Sequence, residues 1–570
     1  MDEPTVRVLV LADFNAANFA AHLTHDTTEP PVVATAGTLG DVGADPSVSG
    51  ESADRAGSDA GHDVAIVWTR PEAISTALAG LVDHGVAVLA DVMRDVDEFV
   101  ARLARLRGQY ARVVVMTWRV PRVSGAFGAI AMKEGMGLAN VVMRMNLRLA
   151  ERVDDMPGVV LLDASAWMDA ERAPEEAKLW YAAKIPFRHE VFRRAARQVK
   201  SLLRASRGQV RKVILLDLDD TLWGGLVGEV GWRGLRLGGH DPTGEAYVDF
   251  QRTLLALSHR GLLLGVVSKN DEAVALEALG GHPEMVLRVP HFSGWRINWD
   301  DKAANIVSLA QELNVGLEAV VFIDDREAER VRVREALPEV FVPEWPSSPM
   351  RYVDALLGLD CFDTVRLTAE DRTRSALYAA ERARAADLGV AASGGEWLER
   401  LELRVDVEEF NDRNAPRAVQ LLNKTNQMNL STRRLDAGEL VAWLGAGRRK
   451  LWTFRVRDRF GDAGLTGLAS LEIDGTRAVL VDFVLSCRVF GRKVEEAMLH
   501  VVTESALESG AAEFVATLMP TSKNAPCLRF LEGSGLRRDD DDAHQFRFDL
   551  ATAYPRPREI ELLREMAPIA

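Results

Sequence analysis

Cysteine is scarce in this chain: Cys361, Cys487 and Cys527 are the three in 570 residues. So few thiols cannot make a disulfide framework, and a reducing, cytoplasmic setting is expected. The longest apolar runs fall short of a bilayer span, and no basic-then-apolar leader opens the chain, so no membrane partner is expected. No long basic run occurs and the formal net charge is -15, which argues against nucleic acid as the main partner. What remains, 47% hydrophobic and 27% charged residues, is ordinary for a soluble protein. The length exceeds a single core, and about three or four domains are expected.

The most informative stretch is Val213-Ile-Leu-Leu-Asp217-Leu-Asp219-Asp220-Thr221-Leu-Trp-Gly-Gly. Its unbroken apolar opening reads as a strand buried on both faces of a parallel sheet. The acids at its carboxyl end then lie where open α/β sheets bind ligands. Carboxylates this close repel unless a cation lies between them or one takes a proton. A hard divalent ion such as Mg²⁺, which prefers oxygen ligands, meets the first need. The pattern suggests Asp217 as a nucleophile toward a phosphoryl group, with Asp219 as its acid/base partner.

Three later segments repeat the theme. Leu262 to Val267 is an apolar strand ending in Ser268-Lys269-Asn270, where a hydroxyl suits a phosphate oxygen. Lys302 opens a helix to Leu313 and can neutralise charge on a phosphoryl group. Val320 to Ile323 is a third buried strand, capped by Asp324 and Asp325. Each has a bland alternative: an N-cap and turn for the Asp-x-Asp-x-Thr, a turn serine, a solvated lysine, a helix-capping acid pair. Their order, each at a strand end or helix start, is not accounted for by those alternatives together.

Upstream, strands Val6–Leu11, Val64–Trp68, Val113–Thr117 and Val159–Asp163 alternate with helical patterns, which indicates a first α/β domain over residues 1–207. Within it, residues 37–63 are rich in Gly, Ala, Ser and Asp and read as a disordered insertion. Downstream of a core domain at 208–348 and a helical linker at 349–400, residues 401–550 read as strands first, then a helix from Lys493, a strand from Glu513 and a helix near Ala525. Residues 551–570 read as a tail.

These residues resemble the haloacid dehalogenase (HAD) superfamily. More closely, Asp217-Leu-Asp-Asp-Thr-Leu-Trp-Gly-Gly-Leu-Val-Gly-Glu-Val-Gly231 is similar to the signature of its FkbH-like group. Leu367-Thr-Ala-Glu-Asp-Arg372 with Tyr378, Gln420 to Asn429, and Val456 to Gly461 look like further blocks of that group. The resemblance implies a HAD-like Rossmannoid parallel-sheet core. It implies an enzyme that takes a glyceryl unit from 1,3-bisphosphoglycerate, removes phosphate, and loads the unit as a thioester on an acyl carrier protein in natural-product pathways. By it, Asp217 is nucleophile and Mg²⁺ ligand, and Asp219 is general acid/base with its backbone carbonyl on the metal. Ser268 and Lys302 hold the phosphoryl group, and Asp324, with Asp325, completes the metal site. Asp220 departs from the asparagine frequent there. A Mg²⁺-dependent phosphatase of a small metabolite is the alternative reading.

The 401–550 region resembles the GNAT acyltransferase fold, an α+β domain. There, a strand leads into a turn and helix start whose NH groups bind a pyrophosphate or a phosphopantetheine arm. Arg488, Gly491 and Arg492 match that turn, and Lys493 departs from its small residue. Cys487, directly before it, is either a thiol relay for the glyceryl group or a buried structural cysteine. The first domain resembles SGNH hydrolases loosely: Asp13 and Asn15 stand where a serine is needed, so a docking or structural role is expected of it.

Overall fold

A computed structural model describes residues 5–38, 62–84, 88–169, 174–207, 209–313, 315–364, 380, 384, 387, 394–425, 427–435, 437–521 and 523–564. The family-like block at Leu367–Arg372 and Tyr378 lies outside them, as do 39–61 of the expected insertion. The chain sorts into two units. One is Met1–Lys212 with Glu318–Val321 and Glu339–Thr368, and the other is Val213–Leu317 with Phe322–Pro338 and Ala369–Ala570.

The first sheet joins β1 (Val6–Ala12), β2 (Val32–Thr38), β3 (Val64–Trp68), β4 (Arg112–Met116) and β5 (Val159–Leu162) in the order β2-β1-β3-β4-β5, all parallel. Successive strand residues point to opposite faces, so each face needs its own cover. Val114 packs toward the helix His189–Ser206, whereas Val113 and Val115 pack toward the helix Leu89–Gln109. That second helix buries Val92, Val96, Phe99, Leu103 and Leu106, the three-and-four spacing of one amphipathic stripe. Strand β2 corrects the sequence reading, because it runs through Gly37 and Thr38 of the expected insertion. At the other end of that segment, Asp63 Oδ2 accepts from Arg7 N at 2.9 Å, so it too is tied to the sheet. β2 lies at the sheet edge, with Val32 buried, Val33 exposed and small residues after them, which hides its strand period.

The second sheet joins β6 (Val213–Leu216), β7 (Leu263–Ser268), β8 (Phe292–Ile297) and β9 (Val320–Ile323) in the order β8-β7-β6-β9, with β6, β7 and β8 parallel. Every residue of β6, β7 and β9 is buried, as expected of strands covered on both faces. The helices start cleanly: Asp241 accepts from Gly244 N ahead of Pro242–His259, and Asp271 accepts from Val274 N ahead of Glu272–Gly281. Gly265 on β7 is closely packed: a Cβ there would lie 2.6 Å from Leu215 Cδ2, so the neighbouring core would have to shift.

The third sheet comprises β10 (Leu403–Glu409), β11 (Met428–Asn429), β12 (Arg449–Asp458), β13 (Gly461–Asp474), β14 (Arg477–Leu485), β15 (Glu513–Thr517), β16 (Arg537–Arg538), β17 (Gln545–Asp549) and β18 (Ile560–Arg564). Its order is β16-β17-β15-β14-β13-β12-β10-β18, with β11 beside β14. β12, β13 and β14 form an antiparallel meander, and the helix Val494–Glu508 then carries the chain to β15, parallel to β14. Antiparallel strands followed by one strand–helix–strand crossover give the expected GNAT-like α+β arrangement. The expected tail is corrected: Ile560–Arg564 is a paired edge strand, with Leu403 opposite Ile560. Among the described residues, no helix is long and apolar enough to cross a membrane.

Candidate active site

The end of β6 delivers Asp217, whose backbone NH donates to Ile323 O at 3.0 Å and so ties it to the end of β9. Lys302, the first residue of the helix Lys302–Glu312, reaches across with its Nζ 2.9 Å from Asp217 and 2.6 Å from Asp324. All three side chains are almost fully enclosed, at 2%, 6% and 0% exposure for Lys302, Asp217 and Asp324. Asp325 completes the group: one oxygen from each of Asp217, Asp324 and Asp325 lies within 4.8 Å of the others. Three carboxylates against one ammonium leave a local charge of about two negatives, a donor set that fits a hard divalent cation.

The electrostatics bear this out. Burial first, and then the Asp217 carboxylate, push Asp324 up to about 6 despite the opposing Lys302. Burial and Asp217 raise Asp325 as well. On Lys302, burial pulls downward, but Asp217 and Asp324 outweigh it and hold the ammonium above its ordinary value.

Asp219 is set apart from this group. Its Oδ1 accepts from Trp223 Nε1 (2.8 Å) and Val227 N (3.0 Å), and its Oδ2 accepts from Asn270 Nδ2 (2.9 Å). Burial raises its pKa and these donors oppose the rise, which suits a carboxyl group that must give and take a proton. Its carboxylate is outside the three-acid group, compatible with the expectation that only its backbone carbonyl faces a metal. Asp220 turns the chain with φ +54°, a left-handed conformation that Asn and Asp share. Its Oδ1 accepts from Gly225 N at 2.8 Å, a role either side chain can fill. The departure at this position therefore leaves the turn intact.

Ser268, at the end of β7, is buried. Three further residues act at one remove, and single-residue reasoning missed them. Thr221 Oγ1 donates to Asp325 Oδ1 at 3.1 Å and accepts from Asp325 N at 3.1 Å. Arg330 Nη1 donates to the carbonyls of Asp324 (2.9 Å) and Asp325 (2.6 Å). Asn270 orients Asp219. Thr221 and Asn270 were visible as the last residues of their strand-end motifs, whereas nothing in the sequence marked Arg330.

The GNAT-like turn differs from expectation. Cys487 opens the short turn Cys487–Val489, and its side chain lies outside those described. Arg488 Nε donates to Ser486 Oγ at 3.2 Å. Gly491 has φ +70°, but its NH already donates to the chain's own Glu495 Oε1 at 2.9 Å. Arg492, expected to meet a phosphate, is 3% exposed, and its Nη1 lies 3.8 Å from the buried Asp458. Lys493, in a left-handed conformation, pairs with Glu559 at 2.7 Å. These residues do not fit a coenzyme A pyrophosphate. In the first domain, Asp13 accepts from Arg70 N and Nε, both at 2.8 Å, so the position expected of a hydrolase serine holds a fixed ion pair.

No protein-family model and no curated protein matches the chain. Among solved structures, the N-terminal part of a Bacteroides fragilis protein, containing a phosphatase domain complexed with Mg, is similar at 24% identity and a TM-score of 0.56. The match covers 64% of this chain and 95% of that one. A GNAT-family acetyltransferase from Staphylococcus aureus matches at 12% identity and TM-score 0.21, over 26% of this chain and 99% of that one. The Escherichia coli ribosomal-protein-S18-alanine N-acetyltransferase matches at 11% and 0.20, over 26% and 96%. The fold is an α/β assembly: a doubly wound first sheet, a HAD-like Rossmannoid core, and a GNAT-like α+β sheet.

Proposed function

We propose that the Asp217 site carries out Mg²⁺-dependent phosphoryl transfer through an aspartyl phosphate. In this reading the chain is an FkbH-like enzyme that takes a glyceryl unit from 1,3-bisphosphoglycerate, dephosphorylates it and loads it as a thioester on an acyl carrier protein. The observation that carries the chemistry is Lys302 held between Asp217 and Asp324, with Asp325 beside them and Asp219 held separately by neutral donors.

Asp217, Asp324 and Asp325 would hold Mg²⁺, which supplies neutralisation of the incoming phosphoryl oxygens. Asp217 attacks phosphorus of the 3-phosphate, and the bond to the glyceryl oxygen breaks as that oxygen takes the Asp219 proton. Water then gives its proton back to Asp219 and attacks the aspartyl phosphate, releasing inorganic phosphate and restoring Asp217. Lys302 stays charged throughout, and Ser268 offers a hydroxyl to a phosphoryl oxygen. At the acyl phosphate, a thiolate adds to the carbonyl and the phosphate leaves, which forms the thioester without any redox partner.

Intact-protein mass spectrometry tests the reading, with purified protein, Mg²⁺, 1,3-bisphosphoglycerate and a phosphopantetheinylated carrier. The expected product is a carrier bearing one dephosphorylated glyceryl group, absent with Asp217→Asn. Phosphate release with every carrier left unmodified would leave the second reading, a Mg²⁺-dependent phosphatase of a small metabolite. One observation favours that second reading: in the turn expected to receive a carrier's phosphate, Gly491 N already donates to Glu495.

A further inference from the structure

A pantetheine arm needs two things from a sheet of this topology. Its amides need an open strand edge to add to, and its phosphates need free NH groups at the helix start that follows. The edge in question is on β14, which pairs with β15 only over Arg477–Leu480 against Glu513–Ala516. Beyond Leu480, β14 runs on to Leu485 and its second edge is exposed to whatever lies alongside.

That edge is taken by the chain itself. Met428 pairs with Leu485 and Asn429 with Val484. Leu430 N donates to Phe483 O at 3.1 Å, and Met519 N, past the end of β15, donates to Leu430 O at 2.9 Å. Residues 428–430 thus bridge the two diverging strands as an inserted strand. The insert is anchored: Asn524 Nδ2 donates to Asn429 O (3.1 Å), and Ser431 Oγ donates to Asp482 Oδ1 (2.6 Å). Met428, Asn429 and Leu430 are at most 2% exposed.

One donor of the turn ahead of the helix is taken as well. Glu495 is 6% exposed, with Oε1 accepting from Gly491 N and Oε2 lacking any hydrogen-bond partner. A carboxylate there satisfies the helix start as an anion would. A pyrophosphate brought to the same place would have to displace this carboxyl group from Gly491 N.

We propose that the C-terminal sheet has an acyltransferase topology closed to its thiol cofactor: it takes neither coenzyme A nor a phosphopantetheine arm at the β14–β15 divergence. For the proposed function, the carrier arm is then received outside this gap. That consequence rests on the glyceryl-loading reading, whereas the closure does not.

The full chain is titrated with acetyl-CoA by calorimetry, and hydrogen exchange is followed in peptides covering 427–435, 484–496 and 513–521. The expected result is no saturable binding and unchanged exchange in all three peptides. Saturable binding that leaves those peptides unchanged places the cofactor elsewhere and supports the closure. Saturable binding that alters exchange at Leu430, Met519 or Gly491 overturns it. Glu495→Ala is expected to bind no acetyl-CoA either, because the inserted strand remains. Binding gained by that substitution alone would refute the strand as a barrier. Carrier loading measured separately tells failure of the glyceryl reading from failure of the closure.

Discussion

Replacing Lys302 by Ala removes the cation that two buried carboxylates share. At 2% exposure, and 2.9 Å and 2.6 Å from Asp217 and Asp324, solvent screens little of the interaction. Removing one partner of a buried ion pair costs about 3–5 kcal/mol, and the loss here leaves Asp217, Asp324 and Asp325 facing one another. For a unit of about 300 residues that corresponds to a fall of roughly 4–8 °C in the melting transition. The pH dependence has a definite sign. A lysine raised in the folded state gives stability that is complete below its unfolded value and is lost only at strongly alkaline pH. Asp324 has the same sign at a lower pH: a carboxyl raised to about 6 is penalised while ionised, and the penalty fades as pH falls below that value. The Lys302→Ala deficit is therefore largest above about pH 6 and shrinks toward pH 5, and millimolar Mg²⁺ recovers part of it. Scanning calorimetry of both proteins at pH 5 and 8, with EDTA or Mg²⁺, checks this. A deficit of less than about 1 kcal/mol, equal at both pH values and indifferent to Mg²⁺, would refute the charge argument.

Three further outcomes are expected. Asp219→Asn lowers kcat for phosphate release by about 10²–10⁴; because the raised carboxyl must be protonated to serve the leaving oxygen, it also abolishes a fall in kcat as pH rises. Thr221→Val keeps the shape of a fully buried residue but removes both hydrogen bonds to Asp325, costing about 1–3 kcal/mol in denaturant titration and weakening Mg²⁺ binding. Arg384→Ala breaks a bidentate pair with Asp458 (2.6 and 2.9 Å) whose side chains are 4% and 2% exposed. It costs about 3 kcal/mol, at the low end for a buried pair because Arg492 stands near the same carboxylate; an unchanged unfolding midpoint would contradict this.

The core was legible because strands buried on both faces leave unbroken apolar runs, and β6, β7 and β9 each end in a polar group with work to do. Their order singled out Asp217, Lys302 and Asp324, which the fold brings together, and Ser268, which it buries at the end of β7. The parts that were not legible share a physical cause. β2 is an edge strand of small residues, and β18 is five residues with one buried side chain, so neither carries a hydrophobic period. Glu495 was invisible for another reason: a glutamate in the first turn of a helix is the commonest favourable choice there. Whether its side chain turns back onto Gly491 or out to solvent is decided by tertiary packing. Lys493, which departs from the small residue of that turn, points to Glu559, and the side chain that reaches Gly491 N comes from two residues further on.

The two sheets of the second unit treat buried charge in opposite ways, and this bears on where chemistry resides. In the GNAT-like sheet, Asp458 is matched by Arg384, and Asp482 by Arg433 at 2.5 Å with hydroxyls from Ser431 and Ser470. Glu495, whose second oxygen lacks a partner, is pushed toward its neutral form by burial. Charge there is paired off or suppressed, the pattern of a scaffold that must stay folded. Around Asp217, two acids share Lys302 while Asp325 is held by Thr221, and burial holds Asp324 and Asp325 above their ordinary values. Such an excess costs stability in the ligand-free protein. A cation and a phosphoryl group arriving together, as the proposed function requires, would relieve it.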